Sequence, residues 1–346
     1  MCAGSKVSEV FSGYLKDIKL VHFKVMVRRN ECHMIKLMPV IFENYDCVQA
    51  IIANVLNHYK MPWQLMFIGV IGFDYSKLDG GGFILHTGGK AREVLEKIYG
   101  IRELPFAAKT IIELKNSINN NDLLCLYIDG YYCPWHSAFN KYHIEHFLLA
   151  VGFSDSNNTI ICADPFFTTD LKELPIQYVT FTQTNFVIRM DQNEIVDLNS
   201  IHNKSICCLK STIVNIFKST KPYWETINDF SKYLSLEGLR KELYDCKDSS
   251  FIKWLISIDF ISKARNCFIE SLRYLDKLYK IDFNVSINDF QELSKEWTKL
   301  RLCLLKHYYK QKCSFDVLQN IKLQIKSLSE KEKIGISNIN ECLANL

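Results

Sequence analysis

Three residues have the side chains of a cysteine nucleophile, a base and an orienting carboxylate: Cys47, His146 and Asp164. Cys47 falls at the start of a predicted helix, where unpaired N–H groups and the positive end of the helix dipole favour thiolate over thiol. The thiolate is the reactive form of cysteine, so this position suits a nucleophile. His146 begins an apolar run that is typical of a buried strand, and Asp164 ends the next such run. Together these side chains predict acyl chemistry through a cysteine–histidine pair.

Each of the three also has an ordinary structural explanation. Cys47 can be a buried helix cysteine, since the chain has 13 cysteines. His146 can be a core histidine bonded to a carbonyl group. Asp164 precedes Pro165, and Asp before Pro is a common turn signal. Taken singly, none of these residues distinguishes catalysis from packing.

The combination is more informative, because a hairpin would bring two of the residues together. Residues 154–158 are rich in turn formers and separate two apolar runs, which predicts an antiparallel pair of strands. A turn centred there would place His146 opposite Asp164 on neighbouring strands. The carboxylate would then fix the imidazole tautomer and leave the second ring nitrogen for a thiol. Cysteine at a helix start, followed by His and Asp on a later sheet, is the order of papain-like enzymes.

The elements that must position these residues follow from the apolar pattern. A helical stripe begins after Tyr45 and ends before Pro62, and residues 123–128, 146–153 and 159–163 read as strands. From about residue 204 the pattern is helical, with long amphipathic segments at 251–279 and 287–309 and a polar loop or frayed helix end at 326–333. The sequence therefore predicts an α+β protein, with a papain-like catalytic domain over residues 1–200 and a helical domain over 201–346.

Composition and charge limit the classes of partner. Hydrophobic residues make up 48% and charged residues 23%, which is typical of a chain with a substantial core. The net charge of +4 is small for 346 residues and predicts neither nucleic-acid binding nor attachment to a membrane surface. The odd cysteine count and the lack of a C-x-x-C pair favour a reducing compartment. With no signal peptide and no membrane span recognised, the expected location is the cytoplasm.

At these same residues the sequence resembles the N-terminal domain of the butirosin-biosynthesis acyltransferase family, over roughly residues 40–190. The matching segments are Asn44–Tyr45–Asp46–Cys47, the glycine region 69–82, the stretch DGYYCPW at 129–135, and the histidine strand 146–153 with the aspartate that follows it. The helical region resembles the helical domain appended in many members. Such proteins are papain-like and occur with nonribosomal peptide and aminoglycoside assembly lines.

The resemblance implies amide formation by acyl transfer. The thiolate would take an acyl group from the phosphopantetheine thioester of an acyl or peptidyl carrier protein, and an amine-containing small molecule would then attack the acyl-enzyme. The phosphopantetheine arm belongs to the substrate, so no bound cofactor is expected. His136 and His143 lie near Asp129, but their spacing fits no standard zinc motif, so no metal is expected either.

One departure concerns the oxyanion hole. Papain-like peptidases usually carry Gln six positions before the nucleophile, and this chain has Ile41 there. The Cys47 backbone N–H remains as a donor, and the Asn44 side chain is a candidate for a second. Ile41 weakens the peptidase reading more than the acyltransferase reading, because thioesters are more reactive than amides. The candidate substrate pocket consists of four residues of the aromatic stretch: Asp129, Tyr131, Tyr132 and Trp135.

Two alternatives remain open at this level. A cysteine peptidase or amidohydrolase would use the same three residues and release its product to water. A non-catalytic relative would bind a carrier domain without using Cys47. The sequence leaves the acyl group, the amine and the oligomeric state undecided, although the apolar surface of the helical half permits a homodimer.

Overall fold

The computed structural model describes residues 37–42, 45–77, 83–86, 91–106, 110–120, 122–154, 156–179, 185–190, 197–245 and 252–344. All of them belong to one compact unit, His33–Leu346. The unit is α+β, with an antiparallel sheet in its first part and helices after it, as the sequence predicts. None of the described helices combines the length and the apolar composition that a membrane crossing requires.

The strands form a two-stranded hairpin and a six-stranded antiparallel sheet. The hairpin pairs β1 with β2, and the large sheet has the order β3-β8-β4-β5-β6-β7. The strands are β1 Asp74–Lys77, β2 Phe83–His86, β3 Ile101–Pro105, β4 Leu123–Asp129, β5 Glu145–Ser154, β6 Thr159–Ala163, β7 Lys172–Pro175 and β8 Phe186–Met190. The predicted strands at 123–128, 146–153 and 159–163 are confirmed as β4, β5 and β6.

Three helices accompany the sheet and six follow it within the described residues. The first group is α1 Cys47–His58, α2 Ala91–Tyr99 and α3 Ile111–Asn119. The second group is α4 Leu198–Lys218, α5 Tyr223–Tyr233, α6 Leu236–Tyr244, α7 Lys253–Tyr279, α8 Asn284–Lys310 and α9 Phe315–Ala344. The long helices predicted from the amphipathic segments are confirmed as α7 and α8.

Helix α1 begins where it does because Asp46 and Gln49 form a capping box. The Asp46 carboxylate accepts from the Gln49 N–H at 2.7 Å, and the Gln49 side chain accepts from the Asp46 N–H at 3.3 Å. The buried Asn54 side chain then ties the preceding segment to the helix. Its amide accepts from the Val40 N–H and donates to the Val40 carbonyl, at 2.6 and 2.8 Å. The chain leading into Cys47 is therefore fixed against the helix that Cys47 starts.

The large sheet is covered by apolar residues on both faces, because alternate residues of its strands point to opposite sides. On β5, Leu149 and Val151 belong to the core shared with α1, whereas Leu148 and Ala150 belong to the core shared with α3. A strand buried on both faces reads as a continuous apolar run, and the sequence of β5 has that form.

The hairpin of β5 and β6 forms as predicted, but His146 and Asp164 are not directly opposed in it. Leu149 lies opposite Ala163, so continuing that register would place Asp164 opposite Leu148 rather than His146. The register also shifts between Ala150 and Gly152, where β5 contains a bulge. The prediction of a directly opposed pair was wrong, because it placed the turn slightly too early and could not include the bulge.

A buried polar network joins the C-terminal helices to the segment before β1. Arg265 of α7 and Glu332 of α9 are both fully buried, and the Arg265 Nε donates to the Glu332 Oε1 at 2.8 Å. The Arg265 Nη2 donates to the carbonyl of Gly72 at 3.0 Å. Trp297 and Tyr223 donate to the two Glu332 oxygens at 2.9 and 2.8 Å. The helices and the sheet region thus pack on each other within one compact unit, and the domain boundary near residue 200 stays a prediction.

The prediction of a polar loop or a frayed helix end at 326–333 was wrong. These residues lie inside α9, where Leu328 and Ser329 are buried along with Glu332. The polar sequence suggested solvent exposure, but the Glu332 carboxylate is the buried partner of Arg265.

Candidate active site

The three predicted catalytic residues come from the ends of three different elements. Cys47 is the first residue of α1 and is partly exposed. His146 is the second residue of β5 and Asp164 directly follows β6, and both side chains are buried. Helix α1 packs against β5, the strand that carries His146 near its start. The fold therefore gathers residues 47, 146 and 164 at one place.

The His146 imidazole lies between Asp164 and Cys47. Its Nε2 lies 2.8 Å from the Asp164 Oδ2, and the Cys47 side chain is close enough to the ring to help raise the pKa of His146. Because the carboxylate occupies Nε2, Nδ1 is the ring nitrogen left for the thiol. Although His146 and Asp164 are not directly opposed in the sheet, their side chains meet as expected.

Burial and hydrogen bonding act in opposite directions on His146. Burial by itself lowers the pKa of His146, but the hydrogen bond and the charge of Asp164, together with the nearby Cys47 side chain, outweigh burial and raise that pKa to about 9. The ring is accordingly protonated at neutral pH. An imidazolium in contact with a thiol stabilises the thiolate.

Trp135 also contributes to the placement of Asp164. Its indole N–H donates to the same Oδ2 that binds His146, at 2.7 Å. The other oxygen, Oδ1, is buried and has no hydrogen-bond partner among the described residues. The sequence indicated Trp135 only as a pocket residue, and this contact was not predicted. The signal available was general: the N–H of an indole that is at least partly buried usually finds an acceptor.

We expect Trp135→Phe to slow acyl transfer by about tenfold, because a hydrogen bond to a charged group contributes about 1.5–3 kcal/mol and its loss frees the carboxylate to move. The measurement is the kcat/KM of the purified variant, with its urea unfolding midpoint as the check on folding. An unchanged rate in a folded variant would show that the indole does not hold Asp164 in place.

Replacing Asp164 by asparagine is expected to change the pH dependence more than the geometry. The amide oxygen of the new side chain could accept from both His146 and Trp135, but the negative charge that raises the pKa of His146 would be gone. Imidazolium persists below the pKa of His146, so activity in the native protein should fall as pH rises through about 9. In Asp164→Asn this alkaline limb should move to lower pH. A pH–kcat/KM profile with an unmoved alkaline limb would contradict the assignment.

Three of the four predicted pocket residues lie in the loop between β4 and β5. The Asp129 carboxylate accepts from the backbone N–H groups of Tyr131 and Ile144 and pairs with His143. Burial alone would raise the pKa of Asp129, but these hydrogen bonds outweigh it and keep that pKa below its ordinary value. The Tyr131 ring stacks on His143, with 4.6 Å between centroids. Asp129 therefore shapes this loop, whatever else it binds.

Tyr132, on the same loop, is 40% exposed. Its ring stacks on Tyr178 with centroids 5.3 Å apart and planes only 9° apart. It forms an aromatic surface that solvent can reach.

Two oxyanion donors were predicted, the Cys47 backbone N–H and the Asn44 side chain. The Cys47 backbone N–H is the first of α1, and in the described part of the chain no acceptor binds it. Asn44 lies outside the described residues. Ile41 has an exposed side chain, 48% accessible, and it has no polar group to offer.

An open cleft of about 550 Å³ lies elsewhere, lined by Gln64, Glu270, Arg273, Tyr274, Lys277 and Leu278. None of the three catalytic candidates lines it. Among the described residues no set of three His, Cys, Asp or Glu side chains is arranged to hold a metal ion.

Comparison with protein-family models found no match for this chain, and comparison with curated proteins found none either.

Proposed function

We propose that this chain is a cysteine-dependent N-acyltransferase with a papain-like catalytic domain. It would move an acyl group from a carrier-protein thioester, through an acyl-Cys47 intermediate, to an amine in nonribosomal peptide-type biosynthesis. The observation that supports this most is the state of His146, which is buried between Asp164 and Cys47 and has its pKa raised to about 9. A base in that state is charged at neutral pH and favours the thiolate.

In the first half-reaction the Cys47 thiolate attacks the carbonyl carbon of the thioester. The oxyanion that forms can be bound by the Cys47 N–H at the helix start. Collapse of the tetrahedral intermediate breaks the bond to the carrier's sulfur, and the His146 imidazolium gives its proton to that leaving thiolate. The products are acyl-Cys47, a free carrier thiol and neutral His146.

In the second half-reaction a neutral amine attacks the acyl-Cys47 carbonyl. Neutral His146 takes the proton that the amine nitrogen loses, and the new intermediate then expels the Cys47 thiolate. The amide leaves, and the thiolate and the imidazolium are restored. Asp164 holds the ring throughout and stabilises its charged form.

A thioester donor suits this site better than a peptide. Thiol exchange is nearly balanced in energy, and the amine makes the overall reaction downhill. Hydrolysis of an amide needs stronger stabilisation of the oxyanion, and Ile41 provides no side-chain donor for it. The resemblance to acyltransferases at the nucleophile, the aromatic loop and the histidine strand supports the same choice.

The amine is proposed to bind beside the aromatic loop. Hydrogen bonds keep the pKa of Asp129 below its ordinary value at the end of β4, and Tyr131, Tyr132 and Trp135 follow it on the loop that leads to β5, the strand that carries His146. This pocket stays a prediction, because Asp129 also accepts the backbone hydrogen bonds that shape the loop. The proposed partners are the carrier protein and the amine. The proposal also permits a homodimer. The proposed location is the cytoplasm, where reducing conditions would preserve the thiol.

The experiment uses a carrier protein loaded with an acyl thioester, incubated with the purified chain with and without an added amine. An acyltransferase gives an amide only when the amine is present. Release of free acid at the same rate in both reactions would instead support a hydrolase. If neither product forms above the uncatalysed rate, and the carrier still binds, the chain is a non-catalytic relative.

A further inference from the structure

A second histidine lies against the base and has no part in the chemistry described so far. The His136 ring is 4.9 Å from the His146 ring, centroid to centroid, in an edge-to-face arrangement. Phe167 contacts both, at 4.5 Å from His136 and 5.4 Å from His146. The rings of His136 and Phe167 therefore both pack near the His146 imidazole.

The position of His136 is fixed by its own loop. Its Nδ1 accepts from the backbone N–H of Ala138 at 2.9 Å, so the ring proton is on Nε2 when the ring is neutral. Gly130 makes room for it: a Cβ there would lie 3.1 Å from the His136 Nδ1 and 2.6 Å from the Ile144 Cγ2. A Cβ at position 130 would force the Ile144 side chain to shift and would crowd the His136 ring.

We infer that His136 is a positioning residue, whose fixed ring packs against the His146 imidazole and keeps its free nitrogen directed at Cys47. Without that ring, His146 could rotate about its side-chain bonds while remaining near Asp164. The inference rests on the proposed function, because it concerns the same nucleophile and base.

The electrostatics around His136 agree with this role. Burial lowers the pKa of His136 to about 4, and the charge of His146 acts in the same direction, whereas Asp164 and Asp129 oppose it. His136 is accordingly neutral at the pH where His146 is charged. A neutral ring can stay in contact with an imidazolium, whereas a second cation would repel it.

Two variants separate positioning from a purely structural role. His136→Phe keeps an aromatic ring beside His146 but loses the acceptor for the Ala138 N–H. His136→Asn keeps an acceptor but loses the ring. If the ring positions the base, His136→Phe keeps more of the native reactivity of Cys47 than His136→Asn does. If the hydrogen bond to the loop is all that matters, the order is reversed.

The readout is the rate at which iodoacetamide alkylates Cys47 as a function of pH, followed by peptide mass spectrometry, with His146→Ala as the reference for an unpaired thiol. In His136→Asn we expect alkylation at pH 6 to fall about tenfold or more, because small misplacements of a base cost such factors. His136→Phe should stay within about threefold of the native rate by the same reasoning. His202→Asn, which alters another histidine of lowered pKa, should leave the profile unchanged.

The outcomes are distinguishable. The role of His136 is overturned if folded His136→Asn gives the native profile, or if it keeps more of the native alkylation rate than His136→Phe does. Either result leaves the proposed function intact. If the native protein itself alkylates like His146→Ala, there is no thiolate–imidazolium pair, and both the inference and the proposed function fail.

Discussion

Replacing Cys47 by alanine is expected to lower the rate of acyl transfer by about 10⁴-fold or more, since removal of a nucleophile typically costs that much. No acyl-enzyme can form, and neither His146 nor Asp164 offers a substitute. Stability should hardly change, because Cys47 is partly exposed and alanine is favourable in a helix. The measurement is single-turnover transfer from a loaded carrier to an amine.

The matched control for this variant is Cys207→Ala, which removes an exposed thiol on α4. It should transfer at the native rate. Full turnover by Cys47→Ala would exclude covalent catalysis by this residue, whatever the geometry around it.

Breaking the buried ion pair should have the largest effect on stability. Among the residues that the structure describes, Arg265→Met leaves the buried Glu332 carboxylate with only Trp297 and Tyr223 as donors. Removing one partner of a buried pair typically costs about 3–5 kcal/mol in the free energy of unfolding. Urea unfolding followed by fluorescence and by circular dichroism gives the value, provided that the two transitions coincide.

Helix α7 provides the matched control. Arg273 pairs with Glu270 at the surface, where the two side chains are 49% and 39% exposed. Arg273→Met should cost only about 0–1 kcal/mol, because solvent screens the pair. A loss from Arg265→Met as small as that of the control would show that the buried network does not hold the helices to the segment before β1.

Much of the site follows from local sequence. Asp46 before an apolar stripe predicts the helix start that places Cys47, and the turn formers after β5 predict the hairpin that brings His146 and Asp164 together. The exact pairing of the two strands was not predictable, because a bulge between Ala150 and Gly152 cannot be recognised in a continuous apolar sequence. The contact still formed, since side chains of this length reach a neighbour that is offset along the strand.

Contacts between distant segments were not predictable. Trp135 contacts Asp164, and His136 contacts His146, because the loop after β4 folds back over the ends of β5 and β6 where those residues lie. Glu332 was expected to be exposed, because nothing in its own polar segment indicates a buried partner. That partner, Arg265, lies on another helix. A charge pattern along one segment cannot show whether a distant segment provides the opposite charge in the core.

The central claim is that a thiolate at the start of α1, held by a charged His146, becomes acylated. Mass spectrometry of the native protein after a brief reaction with a loaded carrier, in the absence of amine, tests it most directly. The predicted result is a gain of one acyl mass that maps to Cys47, is absent from Cys47→Ala and forms far more slowly in His146→Ala. Acylation of another cysteine, or amide product formed at full rate with no acyl-enzyme on Cys47, would contradict it.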